Sequence, residues 1–149
     1  YLHASGTSQA FVLQISTAGM ERHLSDVLSA LELFHELSSS RSESYPRLRT
    51  SIVLRRDGKL RKQEGLEVLP ASIVRNESDT NLSRFEAKLS WPGDSSCIHF
   101  AIDLIHGQKT GFFLDQRQNV FAIGELLERL PLGRRPVRIL DLFCYVGQW

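Results

Sequence analysis

Two stretches of this chain bring together residue types that can hold a ligand. Residues 107–117 (GQKTGFFLDQR) place polar residues between Gly107 and Gly111, add the paired aromatics Phe112 and Phe113, and open a helical pattern with Asp115, Gln116 and Arg117. A glycine-rich turn feeding a helix N-terminus offers free backbone N–H groups and the positive end of the helix dipole, a ready anion or polar-ligand site. The same residues also spell an ordinary loop with a capping Asp at the helix start. Residue types alone leave both readings open. Residues 137–143 (VRILDLF) have the β-branched and apolar character of a buried parallel strand. Asp141 stands near its C-terminal end, and Cys144, Tyr145, Val146 and Gly147 turn away. Ligands of open α/β sheets collect at the carboxyl ends of strands, where a glycine lets them approach the backbone.

A third stretch is electrostatic. Arg41, Arg47, Arg49, Arg55, Arg56, Lys59, Arg61 and Lys62 face only Glu43 and Asp57 within residues 41–62, in a chain of formal net charge +1. Arg47, Arg49, Arg55, Arg56, Lys59, Arg61 and Lys62 are candidate RNA phosphate contacts, since cations there would release condensed counterions. The plainer alternative is a solvated loop and edge strand whose basic side chains deter edge pairing. His99, Asp103 and His106 lie on or near the other face of a strand. With no Cys or acidic partner at metal-ligand spacing, the histidines read as solvent-facing, and no metal is expected. Cys97 and Cys144 are too few for a disulfide scaffold and form no CxxC pair.

These residues need elements to position them. Residues 10–17 (AFVLQIST) alternate as a strand with Phe11, Leu13 and Ile15 on one face. Met20, Leu24, Val27, Leu28, Leu31 and Phe34 recur at three- and four-residue steps, which predicts one helix over residues 20–37. Residues 38–48 read as an exposed loop around Pro46, 50–55 as a short strand, and Asp57-Gly58 as a turn. Residues 67–75 hold a further short strand, followed by a polar loop at 76–81. Residues 85–91 (FEAKLSW) and 98–105 (IHFAIDLI) alternate with period two around a Pro92-Gly93-Asp94 turn, an antiparallel hairpin. The pattern from Asp115 continues through Val120, Phe121, Ile123, Leu126, Leu127 and Leu130 and stops at Pro131-Leu132-Gly133.

At 149 residues, 42% hydrophobic and 23% charged, the chain suits one domain, or a small domain plus part of another. That composition excludes global disorder and collagen-like or Pro-rich chains. No apolar stretch is long enough to span a bilayer and no secretory leader pattern opens the chain, so a soluble cytoplasmic protein is expected. The chain opens on Tyr1 and ends just past a strand and its turn, without the helix that would cover them. It therefore reads as a piece of a longer protein.

Together, GQKTGFFLDQR and the later ILDLFCYVG resemble the family of S-adenosylmethionine-dependent ribosomal RNA methyltransferases that make 5-methylcytosine in the large-subunit RNA. Members carry a tract like G-x-K-T-G-[FY]-[FY]-L-D-Q-R, then a helix, then a strand ending L-[DN]-x-F-[CS]-Y-[TV]-G-G-F. The segment SIVLRRDGKLRKQEGLE is similar to the family's S-I-x-x-R-x-x-x-x-x-R-K-x-E-G-L, and the match runs in order from residue 10 to 149. Asp141, Phe143, Tyr145 and Gly147 occupy the spacing of the acidic-x-Gly-x-Gly-x-Gly motif of most class I methyltransferases, with aromatics replacing two glycines. Gln148 and Trp149 depart from the family's Gly and Phe.

The resemblance implies an α+β fold. A small central α+β domain (residues 1–75) would be followed by a β-hairpin and linking helix (76–133). The first strand of a truncated Rossmann-like methyltransferase domain (134–149) would come last. The family's N-terminal PUA domain, its cofactor-ribose acid and its Asp-Pro-Pro segment fall outside the chain. So does the catalytic Cys, which attacks cytosine C6 to make C5 nucleophilic. Cys144 lies where the family tolerates Ser and is not that nucleophile, so no catalytic residue is expected here and the piece alone is expected to be inactive. S-adenosylmethionine is the implied cofactor, held by Thr110, Gly111, Phe112, Phe113, Asp115, Gln116, Arg117, Asp141, Phe143, Tyr145 and Gly147. Ribosomal RNA is the implied partner, with a homodimer possible. A guanine methyltransferase of the same RNA, which shares an F-L-D-x-R tract, and a non-catalytic RNA-binding module are the alternatives.

Overall fold

The computed structural model describes residues 2–3, 8–40, 48–77, 79–90, 97–131, 138–142 and 144–147. The expected Pro92-Gly93-Asp94 turn, most of the 38–48 loop, Arg47 and Phe143 lie outside these. The elements mix strands and helices, as an α+β chain requires. A four-stranded sheet has the order β1 (Leu2–His3), β2 (Ser8–Gln14), β3 (Arg49–Arg56), β4 (Leu69–Asn76). β2 and β3 run parallel, with Phe11 beside Ile52 and Leu13 beside Leu54; the other two pairings are antiparallel. Parallel neighbours need a crossover, and helices α1 (Ala18–Arg22) and α2 (Leu24–Ser40) supply it.

The expected single helix is broken at His23. Thr17 caps α1, its Oγ1 accepting from Met20 N at 3.3 Å. His23 then leaves helical geometry (φ −97°, ψ 12°), so α1 turns Glu21 toward β3 while α2 lies along the sheet. Hydrophobic spacing carries straight through such a break and does not announce it. The apolar stripe is also less buried than its spacing implies: Met20 and Phe34 remain exposed, with Phe34 packed edge-on against Phe11 at 6.4 Å. The residue buried deepest under α2 is His35, whose Nδ1 is 2.9 Å from Thr50 Oγ1.

The opposite face of the sheet carries Ala10, Val12 and Val53 into the main core. There they meet the hairpin of β5 (Phe85–Ser90) and β6 (Cys97–Ile102), whose register pairs Phe85 with Ile102 and Ser90 with Cys97. β5 alternates buried and exposed residues throughout, as its sequence predicts. Phe85, Ala87, Leu89, Phe100, Ile102 and Leu104 fill the core with Phe112 and with Val120 of helix α4 (Arg117–Arg129). Burial of each larger side chain contributes about 1.5–3 kcal/mol. A short helix, α3 (Leu60–Gln63), follows the Asp57-Gly58 turn where no helix was expected.

Residues 138–142 form no strand, against the expectation of a buried parallel one. Ile139, Leu140 and Leu142 are 66%, 82% and 69% exposed. The physical reason lies in what a parallel strand requires: neighbours on its edges and helices on its faces. No strand of the described residues pairs with this segment, so its apolar side chains stay outside the core.

Candidate functional site

The site begins where β6 ends. Asp103 Oδ1 accepts from the N–H groups of Ile105 and His106 at 2.9 and 2.7 Å, closing a tight turn. Partial burial pushes the Asp103 carboxyl up, but the N–H of His106 and of Ile105 outweigh it and hold it below the usual carboxylate range. The main-chain carbonyl of Asp103 faces both glycines of the tract. A Cβ on Gly107 would collide with that carbonyl and stand 2.7 Å from Tyr145 Oη; one on Gly111 (φ +91°) would stand 2.6 Å from the same carbonyl. Both positions therefore require glycine. The glycines let the loop close on its own backbone.

Two side chains from distant segments brace this loop. Arg55, on the core face of β3, donates from Nη1 to the Gly107 carbonyl at 2.8 Å and from Nε and Nη2 to Asp57. Its side chain is 5% exposed. The Arg55 guanidinium beside Asp57 holds that carboxyl below its ordinary range. From the other side, Gln108 N donates to Tyr145 Oη at 2.9 Å, and the Phe113 ring meets the Tyr145 ring edge-on at 5.7 Å. Lys109 Nζ sits 5.0 Å over Phe113. Tyr145 and Gly147 both adopt positive φ (49° and 70°) in a turn closed by Gly147 N and the Cys144 carbonyl at 2.7 Å. Thus the 107–113 loop and the 144–147 turn are in direct contact.

The remaining tract residues divide. Phe112 is buried and packs on Phe100 at 5.2 Å, so it is core and not a ligand face. Thr110 Oγ1 donates to the Phe112 carbonyl at 3.2 Å. Asp115 does not cap α4: the cap position falls on Gln116, without a side-chain bond, because a 3-10 turn over Leu114–Gln116 delays the helix. Gln116 instead bonds Asp115 and Asn119. Arg117 lies over the Phe121 ring and reaches the Ser90 carbonyl at 3.4 Å, tying α4 to the end of β5. Asp141 Oδ2 is buried and has no hydrogen-bond partner among the described residues. Phe143 lies outside them.

The basic segment is split more sharply than its sequence suggests. Arg61 is 2% exposed and donates to the Ile15 carbonyl (2.7 Å), the Glu67 carbonyl (2.8 Å) and Glu21 (2.8 Å). Arg56 joins it on Glu21 at 3.3 Å. The Arg61 hydrogen bond, aided by Arg56, holds the Glu21 carboxyl below the usual range against partial desolvation. Arg55 and Arg61 are internal struts and are withdrawn from any phosphate-facing surface. Arg49, Lys59 and Lys62 remain exposed; Arg47 lies outside the described residues.

Sequence reasoning missed one arrangement. His99, expected to be merely solvent-facing, stands 3.2 Å from Cys97 Sγ through Nε2 and bonds Glu86 through Nδ1. The available signal was the two-residue spacing of Cys97 and His99, which places both on one strand face. Among the described residues, no group of His, Cys, Asp and Glu is arranged to hold a metal ion, and no helix is long and apolar enough to cross a membrane.

Against known proteins, the chain is similar to ribosomal RNA large subunit methyltransferases I. It is 29% identical to that of Tolumonas auensis over 145 residues, which is 91% of this chain and 28% of that protein. It is 30% identical to that of Pseudoalteromonas translucida over 136 residues, or 91% of this chain and 27% of that protein. With the Escherichia coli K12 protein the figures are 29% over 136 residues, 91% and 27%. The chain thus spans little more than a quarter of the length of these curated relatives. No family model matches the chain, and no solved structure matches it.

Proposed function

We propose that this chain is part of an S-adenosylmethionine-dependent methyltransferase that acts on large-subunit ribosomal RNA, with cytosine C5 as the atom methylated. The similarity to relatives named for that RNA, over 91% of the chain, supports the class. The observation that carries the cofactor site is the contact of the 107–113 loop with the 144–147 turn; three residues before that turn in sequence, Asp141 Oδ2 is buried without a hydrogen-bond partner among the described residues. A buried carboxylate oxygen without a donor costs the fold about 1–3 kcal/mol. It fits a ligand that brings N–H or O–H donors, as the ammonium, ribose and adenine of S-adenosylmethionine do.

When bound, that cofactor supplies an electrophilic methyl group on a sulfonium sulfur. The residues of this chain would hold it: Asp141 would accept a donor, Phe113 and Tyr145 would offer an aromatic edge, and the open backbone at Gly147 would permit close approach, while Gly111 serves the closure of the loop on Asp103. Asp115, Gln116 and Arg117 belong to this reading as the helix entrance that orients the loop. Arg49, Lys59 and Lys62 are the exposed cations available to RNA phosphates, in a protein whose setting is the cytoplasm. Homodimerisation belongs to the same reading.

The test pairs stability with affinity in the whole protein that carries this chain. Asp141→Asn is expected to leave the melting temperature unchanged or raised, since Oδ2 has no partner among the described residues to lose, while S-adenosylmethionine binds at least ~10-fold more weakly by calorimetry. Unchanged affinity, or collapse of the fold, overturns the assignment of Asp141.

A further inference from the structure

On the exposed face of the hairpin three side chains are joined by hydrogen bonds. Cys97 and His99 are two residues apart on β6, so they share a face, and Glu86 lies diagonally across on β5, whose Lys88 is the register partner of His99. Cys97 Sγ is 3.2 Å from His99 Nε2, and His99 Nδ1 bonds Glu86 Oε1. The carboxylate uses one ring nitrogen and the thiol the other. Glu86 therefore fixes the tautomer that carries its proton on Nδ1 and leaves the Nε2 lone pair pointing at sulfur. A nucleophile, a base within hydrogen-bond reach and a third group orienting the base are the parts of an activated nucleophile. Cys144, the other cysteine, is more exposed and has no such base in contact among the described residues.

We propose that Cys97 is a thiol-exchange site, activated by His99 and Glu86, that takes small disulfides. The Cys97 S–H proton passes to His99 Nε2, and the thiolate attacks one sulfur of the incoming disulfide. A new S–S bond forms to Cys97, the old one breaks, and the departing thiolate takes the proton back from the imidazolium. The disulfide is the oxidant: it is reduced to one free thiol as Cys97 is oxidised to the mixed disulfide. Cys97 is partly exposed, and His99 and Glu86 beside it are about half exposed (45% and 57%). The three side chains form no metal-binding arrangement. At the same rung of the hairpin, Arg117 reaches the carbonyl of Ser90, the register partner of Cys97. A mixed disulfide on Cys97 therefore forms beside the contact that ties α4 to the hairpin.

The test uses the whole protein that carries this chain, with oxidised glutathione and a chromogenic aryl disulfide as probes and peptide mass spectrometry to resolve Cys97 from Cys144. Exposure alone makes Cys144 the faster; a base in contact with the thiol makes Cys97 the faster by about tenfold. His99→Asn is expected to abolish that excess. Glu86→Gln is expected to reduce it about threefold and to shift the rate-against-pH profile of Cys97 alone. Both positions are solvent-exposed, and a hairpin that had come apart would alter Cys144-independent thermal unfolding as well. Cys97 reacting no faster than Cys144, or unchanged by His99→Asn in a chain of unchanged melting temperature, overturns the proposal.

Discussion

Arg55 and Arg61 show how residue type misleads when burial is unknown. In sequence each belongs to a basic run. In space Arg55 satisfies one carbonyl and Asp57, and Arg61 two carbonyls and Glu21, groups that would otherwise be costly to bury. Arg61→Ala removes the Arg61 donor from the Ile15 and Glu67 carbonyls and leaves Glu21 with Arg56 alone; it is expected to cost about 3 kcal/mol in denaturant unfolding, whereas Lys62→Ala stays within about 0.5 kcal/mol. A comparable loss from both would restore the plain reading of a solvated run. The paired carboxylates also set an acid limit. Glu21, Asp57 and Asp103 all have folded-state pKa values below their ordinary ones. A depressed carboxylate pKa stabilises above the unfolded value and loses that contribution as pH falls through the folded one. Unfolding free energy should therefore fall on acidification below about pH 4, and Glu21→Gln should flatten part of that fall in a pH series of melts.

At the scale of elements, the hairpin and the tract behaved differently under sequence reading. β5 and β6 were legible because period-two alternation over one buried face is a local signal. Helix α4 was legible for the same reason at its own period, yet it starts two residues after Asp115 because the 3-10 segment over Leu114–Gln116 has no hydrophobic signature. The break at His23 and the burial of His35 left no trace in spacing, since apolar residues continue on both sides. The site was legible as two motifs; what joins them was not. The Arg55 to Gly107 bond links residues 52 apart, and the Gln108 to Tyr145 bond residues 37 apart. Of the strand expected at 137–143, the described residues 138–142 form none, because strands are made by neighbours. Within the loop, Gly111→Ala is expected to cost about 1–3 kcal/mol, from its positive φ and the Asp103 carbonyl in its path. At α1, Thr17→Ala removes a cap and should cost about 1 kcal/mol. Thermal unfolding reads both, and a neutral Gly111→Ala would mean that the loop is not closed on Asp103 as described.

For the whole molecule, one loop links the halves of the chain: β3 of the four-stranded sheet grips residue 107 through Arg55, and the 144–147 turn grips residue 108 through Tyr145. Under the proposed function, RNA would lie on Arg49, Lys59 and Lys62, while Arg55 on β3 braces the loop proposed to hold the cofactor. Reversing Lys59 and Lys62 together should reduce the salt slope of RNA binding by about one unit per lost phosphate contact, with S-adenosylmethionine affinity unchanged. An unaltered slope would leave those lysines as solvation only. The central claim has a more direct test. The whole protein that carries this chain is incubated with S-adenosylmethionine labelled on its methyl group and unmodified large-subunit ribosomal RNA, and the RNA is digested to nucleosides for mass spectrometry. The account predicts labelled 5-methylcytidine. Label on guanosine would move the target base, and RNA bound without any transferred methyl would contradict the account outright.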